Sequence, residues 1–445
     1  MLLLTGLAVA IGCSDAADHS PAPVILITLD TVRADHLGCY GYRLPTSPAL
    51  DQFASAATLY MQAKATAPWT LPSHASLFTG QYPFEHAAHT NWVDTSDSDL
   101  TDNVRPLGPA AITLAEHFSA SGYATAGFAA NTVFLMERYG LSQGFDTYEV
   151  EHGYAPEVNA RARGWLDARE DDRPFFLFLN YMDAHSPYNT AARDGWPGGS
   201  TDSVPLIREL RQLVLPATGA LPRRRLERMR QQYDLGIANL DAGLGELFGL
   251  LRERKLFERS LIVIASDHGE YFGEHHLIAH SKDVFEPVIA VPLMIKAPGQ
   301  TQGLVEERLV SLAHVPSLMQ PYCPALHEVA FSENWPSETV ISENHFTRLK
   351  DLTEPWAERF PPSRFAIYEG DSKLIRSSDG PPELYDLATD PPESTNRAGD
   401  DPAYVEALLQ RLEEAIARGA IDAPDMDPRK LSAEEIKQLE ALGYF

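Results

Sequence analysis

Three short apolar runs constrain this chain most. They are Val24-Ile-Leu-Ile-Thr-Leu29, Phe175-Phe-Leu-Phe-Leu-Asn-Tyr181 and Leu261-Ile-Val-Ile-Ala265. Each has the length of a strand, and none shows the polar alternation of a half-exposed one. Such runs suit central strands of a parallel sheet covered on both faces. Helical patterns lie between them, at 49–57, 112–121, 159–169 and 223–251. Strands alternating with helices predict an α/β sandwich. A length of 445 residues exceeds one small core, so a large domain with a smaller companion is expected. The large one is expected over 23–334, with 190–222, rich in Pro, Gly and polar residues, as an insertion carrying loops. Residues 335–445 read as a C-terminal α+β subdomain. Its short strands fall at Ile367-Tyr368, Lys373-Leu-Ile375 and Leu384-Tyr385, and its helices at 404–418 and 432–442.

Each apolar run ends in polar groups of an unusual kind. The first ends at Asp30, the second runs into Asp183-Ala-His185, and the third into Ser266-Asp267-His268-Gly269. In open α/β sheets, ligands bind beyond the carboxyl ends of the strands, so groups far apart in sequence converge there. Aspartate with histidine is a mixed oxygen and nitrogen ligand set, which suits zinc or manganese better than calcium. One or two such ions are expected. The segment Thr70-Leu-Pro-Ser-His-Ala-Ser-Leu-Phe-Thr-Gly80 adds a helix start, with Thr70 as N-cap, Pro72 in the first turn and Gly80 as the stop. A helix N-terminus attracts anions. A hydroxyl held there and touching a metal is a strengthened nucleophile. Alone, Thr70 is an ordinary cap; beside these Asp and His residues it is a candidate nucleophile.

The formal net charge of −26 argues against non-specific binding of nucleic acid, whose phosphates would be repelled. It does not exclude a small anionic substrate, because bound cations invert the field locally. The first twelve residues are apolar and are followed by Gly12-Cys13 and a polar stretch to Pro23. This reads as an export signal over 1–22. Gly12-Cys13 also resembles a bacterial lipobox, which implies lipidation of Cys13 and a periplasmic or outer-surface lipoprotein. Cys39 and Cys323 are the other cysteines, and their pairing stays open.

The motifs, taken together, resemble the sulfatase family within the alkaline-phosphatase superfamily. They are Leu29-Asp-Thr-Val-Arg-Ala-Asp-His-Leu-Gly-Cys-Tyr-Gly41, Leu71-Pro-Ser-His-Ala-Ser-Leu-Phe-Thr-Gly80, Asn180-Tyr-Met-Asp-Ala-His185 and Ser266-Asp-His-Gly-Glu270. Glu383-Leu-Tyr-Asp-Leu387 and Leu439-Glu-Ala-Leu-Gly-Tyr444 complete the set. The resemblance implies an alkaline-phosphatase-like, mostly parallel sheet sandwiched by helices, and hydrolysis of phosphate or sulfate esters. It implies a metal held by Asp30, Thr70, Asp267 and His268. His185 and His280 would hold a second metal or act on the leaving group, with His275 and His276 as alternatives to His280. His74 is a candidate catalytic residue in contact with substrate, Lys282 and Asn131 are candidates for the second metal or for substrate, and Arg33 and Asp35 are expected to fix the turn after the first strand.

The departures from the family are chemical. A sulfatase carries Cys or Ser where this chain has Thr70, and oxidises it to formylglycine. Threonine cannot become that aldehyde. Arg is replaced by His74, the second Asp by Thr31, and the usual Lys and His by Ala130 and Thr132, with Asn131 between them. Threonine nucleophiles resemble those of phosphodiesterases and phosphoethanolamine transferases in the superfamily. The expected function is a phosphate mono- or diesterase acting on a small anionic ester, a glycan or a lipid headgroup. A true sulfuric ester hydrolase, a transferase and a non-catalytic surface scaffold are the competing readings.

Overall fold

The computed structural model describes residues 21–90, 104–196, 204–329, 331, 340–345, 354, 356–361 and 363–419. Cys13 and the leader before residue 21 lie outside the described residues, as do the 432–442 helix and the 439–444 motif. All three apolar runs are strands with the expected bounds. They are β1 (Val24–Leu29), β5 (Phe175–Tyr181) and β6 (Leu261–Ala265), and every residue in them is buried. Residues buried on both sides explain the missing alternation.

The main sheet also holds β2 (Thr58–Lys64), β3 (Ala124–Ala129), β4 (Thr147–Val150), β9 (Leu293–Lys296) and β10 (Leu304–Ser311). A two-residue hairpin ladder, β7 (Tyr271–Phe272) and β8 (Ile278–Ala279), lies apart from it. The strand order is β10-β2-β9-β6-β1-β5-β3-β4. β1 runs parallel to both β5 and β6, and β3 parallel to β5. Only β9 is antiparallel to its neighbours. The carboxyl ends of β1, β2, β3, β5 and β6 therefore open on one edge.

Two apolar layers cover the sheet. One includes Phe53, Leu166, Tyr233 and Leu244 against Ile25, Ile27 and Leu177. The other includes Leu71, Phe78 and Phe118 against Leu26, Phe176 and Val263. Each fully buried side chain of this size contributes about 1.5–3 kcal/mol relative to exposure. The helices Pro48–Ala54, Leu114–Ala120, Ala155–Ala168 and Arg223–Glu253 occupy the predicted places, with ends shifted by a few residues. Residues 190–222 are not loops alone, because the helix Val204–Val214 lies among them. Ile207, Leu210 and Val214 recur at helical spacing and join the core beside Phe272 and Ile278.

The C-terminal strands β11 (Val340–His345), β12 (Ser363–Glu369), β13 (Ser372–Ser377) and β14 (Glu383–Asp386) form an antiparallel meander. Alternation divides its faces. Ile341, Phe365, Ile367 and Leu374 pack under the helix Pro402–Gly419. Ala366, Tyr368 and Ile375 join the core of the main sheet. Cys39 and Cys323 are both free thiols. Among the described residues no helix is long and apolar enough to cross a membrane.

Candidate active site

The shared edge brings together groups that are up to 238 residues apart. Asp30 follows β1, Asn131 follows β3, His185 follows β5, and Asp267 and His268 follow β6. Asp30, Asp267 and His268 each offer one atom to a group whose members lie within 4.8 Å of one another, and all three are buried. His268 Nε2 lies 3.5 Å from Asp267 Oδ2 and 4.0 Å from Asp30 Oδ1. These three atoms are also buried without a hydrogen-bond partner. Buried polar atoms are otherwise nearly always satisfied, so three orphans facing one point fit a divalent cation. Two carboxylate oxygens and an imidazole nitrogen match the ligand chemistry of zinc or manganese.

The remaining atoms of the cluster are tied down. Asp267 Oδ1 accepts from the backbone N–H of Thr31 at 3.2 Å and of His268 at 3.0 Å. Thr31 reaches this position through a left-handed φ of 62°. His268 Nδ1 donates to the Gly269 carbonyl at 3.0 Å, which leaves Nε2 for the cluster. Burial and the neighbouring Asp30 carboxylate push Asp267 up to about 8. Burial pushes His268 down.

The raised Asp267 has a consequence for stability. Between the unfolded value of 3.8 and about 8, the metal-free folded state binds the extra proton, so its stability falls as pH rises through that window. A bound divalent cation removes the repulsion that causes this. Stabilisation by added Zn²⁺ or Mn²⁺ is therefore expected to grow from pH 5.5 to pH 8. Thermal melts with metal and with chelator across that range measure it; a metal shift that is flat or shrinks with pH contradicts the assignment.

Thr70 is fully buried at the start of the helix Thr70–Thr79. It is not the N-cap expected from the sequence. The extended Trp69 holds that position, and Thr70 is the first helical residue. Its hydroxyl is therefore not spent on its own helix. Instead Asn131 Nδ2 donates to Thr70 Oγ1 at 3.3 Å and to Asp30 Oδ2 at 2.9 Å. The Asn131 Oδ1 accepts from the N–H of Val133 and Phe134, so the amide cannot turn. One fixed side chain thus joins the hydroxyl to a carboxylate of the cluster. Gly80, with φ 72°, ends the helix as expected.

His74 is not a surface residue, and both of its ring nitrogens are taken up by protein partners. It is fully buried beneath the cluster. Its Nδ1 donates to the Thr70 carbonyl at 2.9 Å and lies 3.4 Å from Asp267 Oδ2. Its Nε2 accepts from Thr28 Oγ1 at 3.0 Å, while Asn180 Nδ2 donates to the same oxygen at 3.1 Å. The catalytic assignment of His74 is thus corrected to support of Thr70 and Asp267. The helical i, i+4 spacing turns its ring back onto the Thr70 carbonyl.

Three imidazoles form a row. The His268 and His280 ring centres are 4.6 Å apart, and those of His280 and His185 are 5.1 Å apart. His280 is held by Glu270, whose Oε1 lies 3.0 Å from its Nδ1. Glu270 Oε2 accepts from the Tyr188 hydroxyl at 2.9 Å. His185 Nδ1 donates to the Ser186 carbonyl at 2.5 Å. His275 instead stacks on Phe285 at 3.6 Å. Lys282 Nζ donates to the His280 carbonyl at 3.1 Å, so it braces that residue's backbone. Arg33 binds Asp35, Glu274 and the Glu270 carbonyl, in the structural role expected of it. The sequence reading missed Glu270 and Tyr188 as supports of His280. An acid two residues after His268 was the available signal for the first.

The supporting elements approach closely. A Cβ on Gly236, in the long helix, would stand 2.5 Å from the Asp183 carbonyl oxygen. Glycine here lets that helix press on the loop carrying His185.

The family model described as "Sulfatase" matches residues 23–320. Arylsulfatase K of Bos taurus is 23% identical over 89% of this chain and 82% of its own length. A multifunctional alkaline phosphatase superfamily protein, PehA, of Trinickia caryophylli is 26% identical over 88% of this chain and 94% of its own. Choline-sulfatase of Rhizobium meliloti is 28% identical over 57% of this chain and 52% of its own. Among solved structures, a phosphonate monoester hydrolase of Agrobacterium radiobacter superposes with a TM-score of 0.67 at 20% identity, covering 92% of this chain and all of the other. A 2-O glycosaminoglycan sulfatase, BT1596, superposes with a TM-score of 0.68 at 17% identity, covering 93% and 95%. The fold is common to both kinds of enzyme, and the matched stretch carries every strand that feeds the orphaned cluster: the chain belongs to the sulfatase family of ester-bond hydrolases.

Proposed function

We propose that this chain is a metal-dependent hydrolase of phosphate or phosphonate esters, with Thr70 as its nucleophile. The observation that carries this reading is the Thr70 hydroxyl, buried at a helix start and joined to Asp30 through Asn131. Asp30, Asp267 and His268 would hold a divalent cation, whose positive charge would favour an ionised hydroxyl and a negative ester oxygen.

The protein's own groups do the rest. Asn131 keeps Thr70 Oγ1 aimed, and the helix start presents its positive end to the anion. A bond forms from Thr70 Oγ to phosphorus as the bond to the leaving oxygen breaks. His280 or His185 returns a proton to that oxygen. Glu270 orients the His280 ring, because its carboxylate faces Nδ1. Water then attacks phosphorus and gives a proton to the now neutral histidine, which passes it to the departing Thr70 Oγ.

The choice of phosphorus over sulfur follows from the exit. A formylglycine hydrate expels sulfate by collapsing to the aldehyde. A threonine ester has no such collapse and must be cleared by water at the central atom. Phosphoryl-threonine suits that route. Aryl phosphate, bis-aryl phosphate and aryl phosphonate should therefore be turned over at least about tenfold faster in kcat/KM than aryl sulfate, a difference of about 1.4 kcal/mol in barrier. Faster sulfate turnover sinks the preference and supports the sulfuric ester reading, which the likeness to arylsulfatase K favours.

Export as a lipoprotein through Cys13 belongs to the same reading and rests on the 1–22 segment alone. Incorporation of labelled palmitate into the full chain, lost in Cys13→Ala, is the expected result; equal labelling of both sinks it.

A further inference from the structure

The loop that carries His280 follows a path that its own residues disfavour. His275, His276, Ala279 and Ser281 have φ values of 52°, 55°, 57° and 67°. All four bear a Cβ in the left-handed region. Such a path persists only where the surroundings over-determine it.

Much of that restraint comes from the C-terminal part of the chain. Arg364 on β12 pairs with Asp283 at 2.9 Å, three residues after His280. Its guanidinium also lies 5.3 Å from the centre of the Phe285 ring, on which His275 stacks. Lys373 on β13 donates to the Val284 carbonyl at 2.7 Å and pairs with Glu286 and Glu393 at 3.0 and 2.7 Å. Arg359 donates to the carbonyls of His275 and His276 at 3.0 and 3.3 Å. On the opposite side, the Ser281 N–H donates to the Pro68 carbonyl at 2.9 Å, two residues before Thr70. The His280 loop is thus gripped between the meander and the segment that presents Thr70.

We propose that Arg364 is a positioning residue for the hydrolytic site: through Asp283 it holds His280 in the imidazole row, although it touches no reacting group. The inference rests on the role of His280 proposed above. It makes the C-terminal meander part of the active-site apparatus rather than an appended unit. Asp283 and Arg364 are both buried, and Arg364 also pairs with Glu383, so it is the Asp283 carboxylate that has no water to replace its partner.

A double-mutant cycle on the full chain tests it. Arg364→Met should lower kcat about 10–100-fold, the usual range for an outer-shell support, with KM changed less than about threefold. Arg364→Lys should recover most of the loss, since a cation at Asp283 is what the loop needs. In a His280→Ala background, Arg364→Met should cost less than about twofold, because its effect passes through His280. Multiplicative effects overturn the proposal. Hydrogen exchange gives a reading independent of turnover. Peptides spanning 274–286 should exchange faster in Arg364→Met, with those of β1, β5 and β6 unchanged. Equal protection of the loop in Arg364→Met and the parent overturns the proposal even if the parent hydrolyses every ester tested. If the parent hydrolyses none, the functional reading fails and loop exchange alone decides this one.

Discussion

Thr70→Ala is expected to abolish turnover of every ester, lowering kcat by at least about 10⁴-fold, the scale seen when a covalent nucleophile is removed. Bound metal should remain at the parental level, because Asp30, Asp267 and His268 are untouched. The reason lies in the local geometry. Thr70 Oγ1 is held by Asn131, which also holds Asp30. Thr70→Ser should retain most of the activity, since the oxygen and its partner are kept. Turnover of Thr70→Ala within tenfold of the parent, at equal metal content, would remove the covalent mechanism. Metal analysis beside the kinetics separates a lost nucleophile from a lost ion.

Asp267→Asn is expected to separate stability from activity. The asparagine Oδ1 can still accept from the N–H of Thr31 and His268, so the loop after β6 keeps its path. The charge facing Asp30 is gone. Metal affinity should fall by at least about 100-fold, and turnover with it. The metal-free variant should nevertheless melt no lower than the metal-free parent near pH 8. In the parent, burial and the Asp30 carboxylate work against ionising Asp267, and the variant avoids that repulsion. At pH 5, close to the unfolded value of 3.8, most of that difference should be gone, because little of the window has been crossed. A metal-free variant that melts well below the parent at pH 8 would show that Asp267 supports the fold through contacts other than this repelling pair.

The main fold was legible because its signal is local. Uninterrupted apolar runs of strand length require two covered faces, and the three of them are β1, β5 and β6 with unchanged bounds. The candidate metal group was legible for the same reason: Asp30, Asp267 and His268 stand where these runs stop. Boundaries that depend on backbone dihedrals were less so. Whether Thr70 or Trp69 caps the helix turns on one φ/ψ pair, and Trp69 takes the extended one. The helix Val204–Val214 was hidden by the Pro- and Gly-rich residues around it.

The functions of single side chains divide along the same line. Asp30, His185, Asp267 and His268 could be named as candidates from strand ends that must open on one edge, and Thr70 from its helix start, whereas Asn131 and His280 came only with the family resemblance. The burial of His74 under the cluster depended on which way a helix turns its face. The supports of His280 depended on contacts across long separations: Tyr188 with Glu270, and Arg364 with Asp283. No periodicity records such pairs, because they arise only when separate elements pack. The sequence by itself determined the sheet, the edge and the chemistry gathered there. Tertiary packing alone decided the geometry of the hydroxyl, the aim of the imidazoles and the grip of the C-terminal meander on the His280 loop.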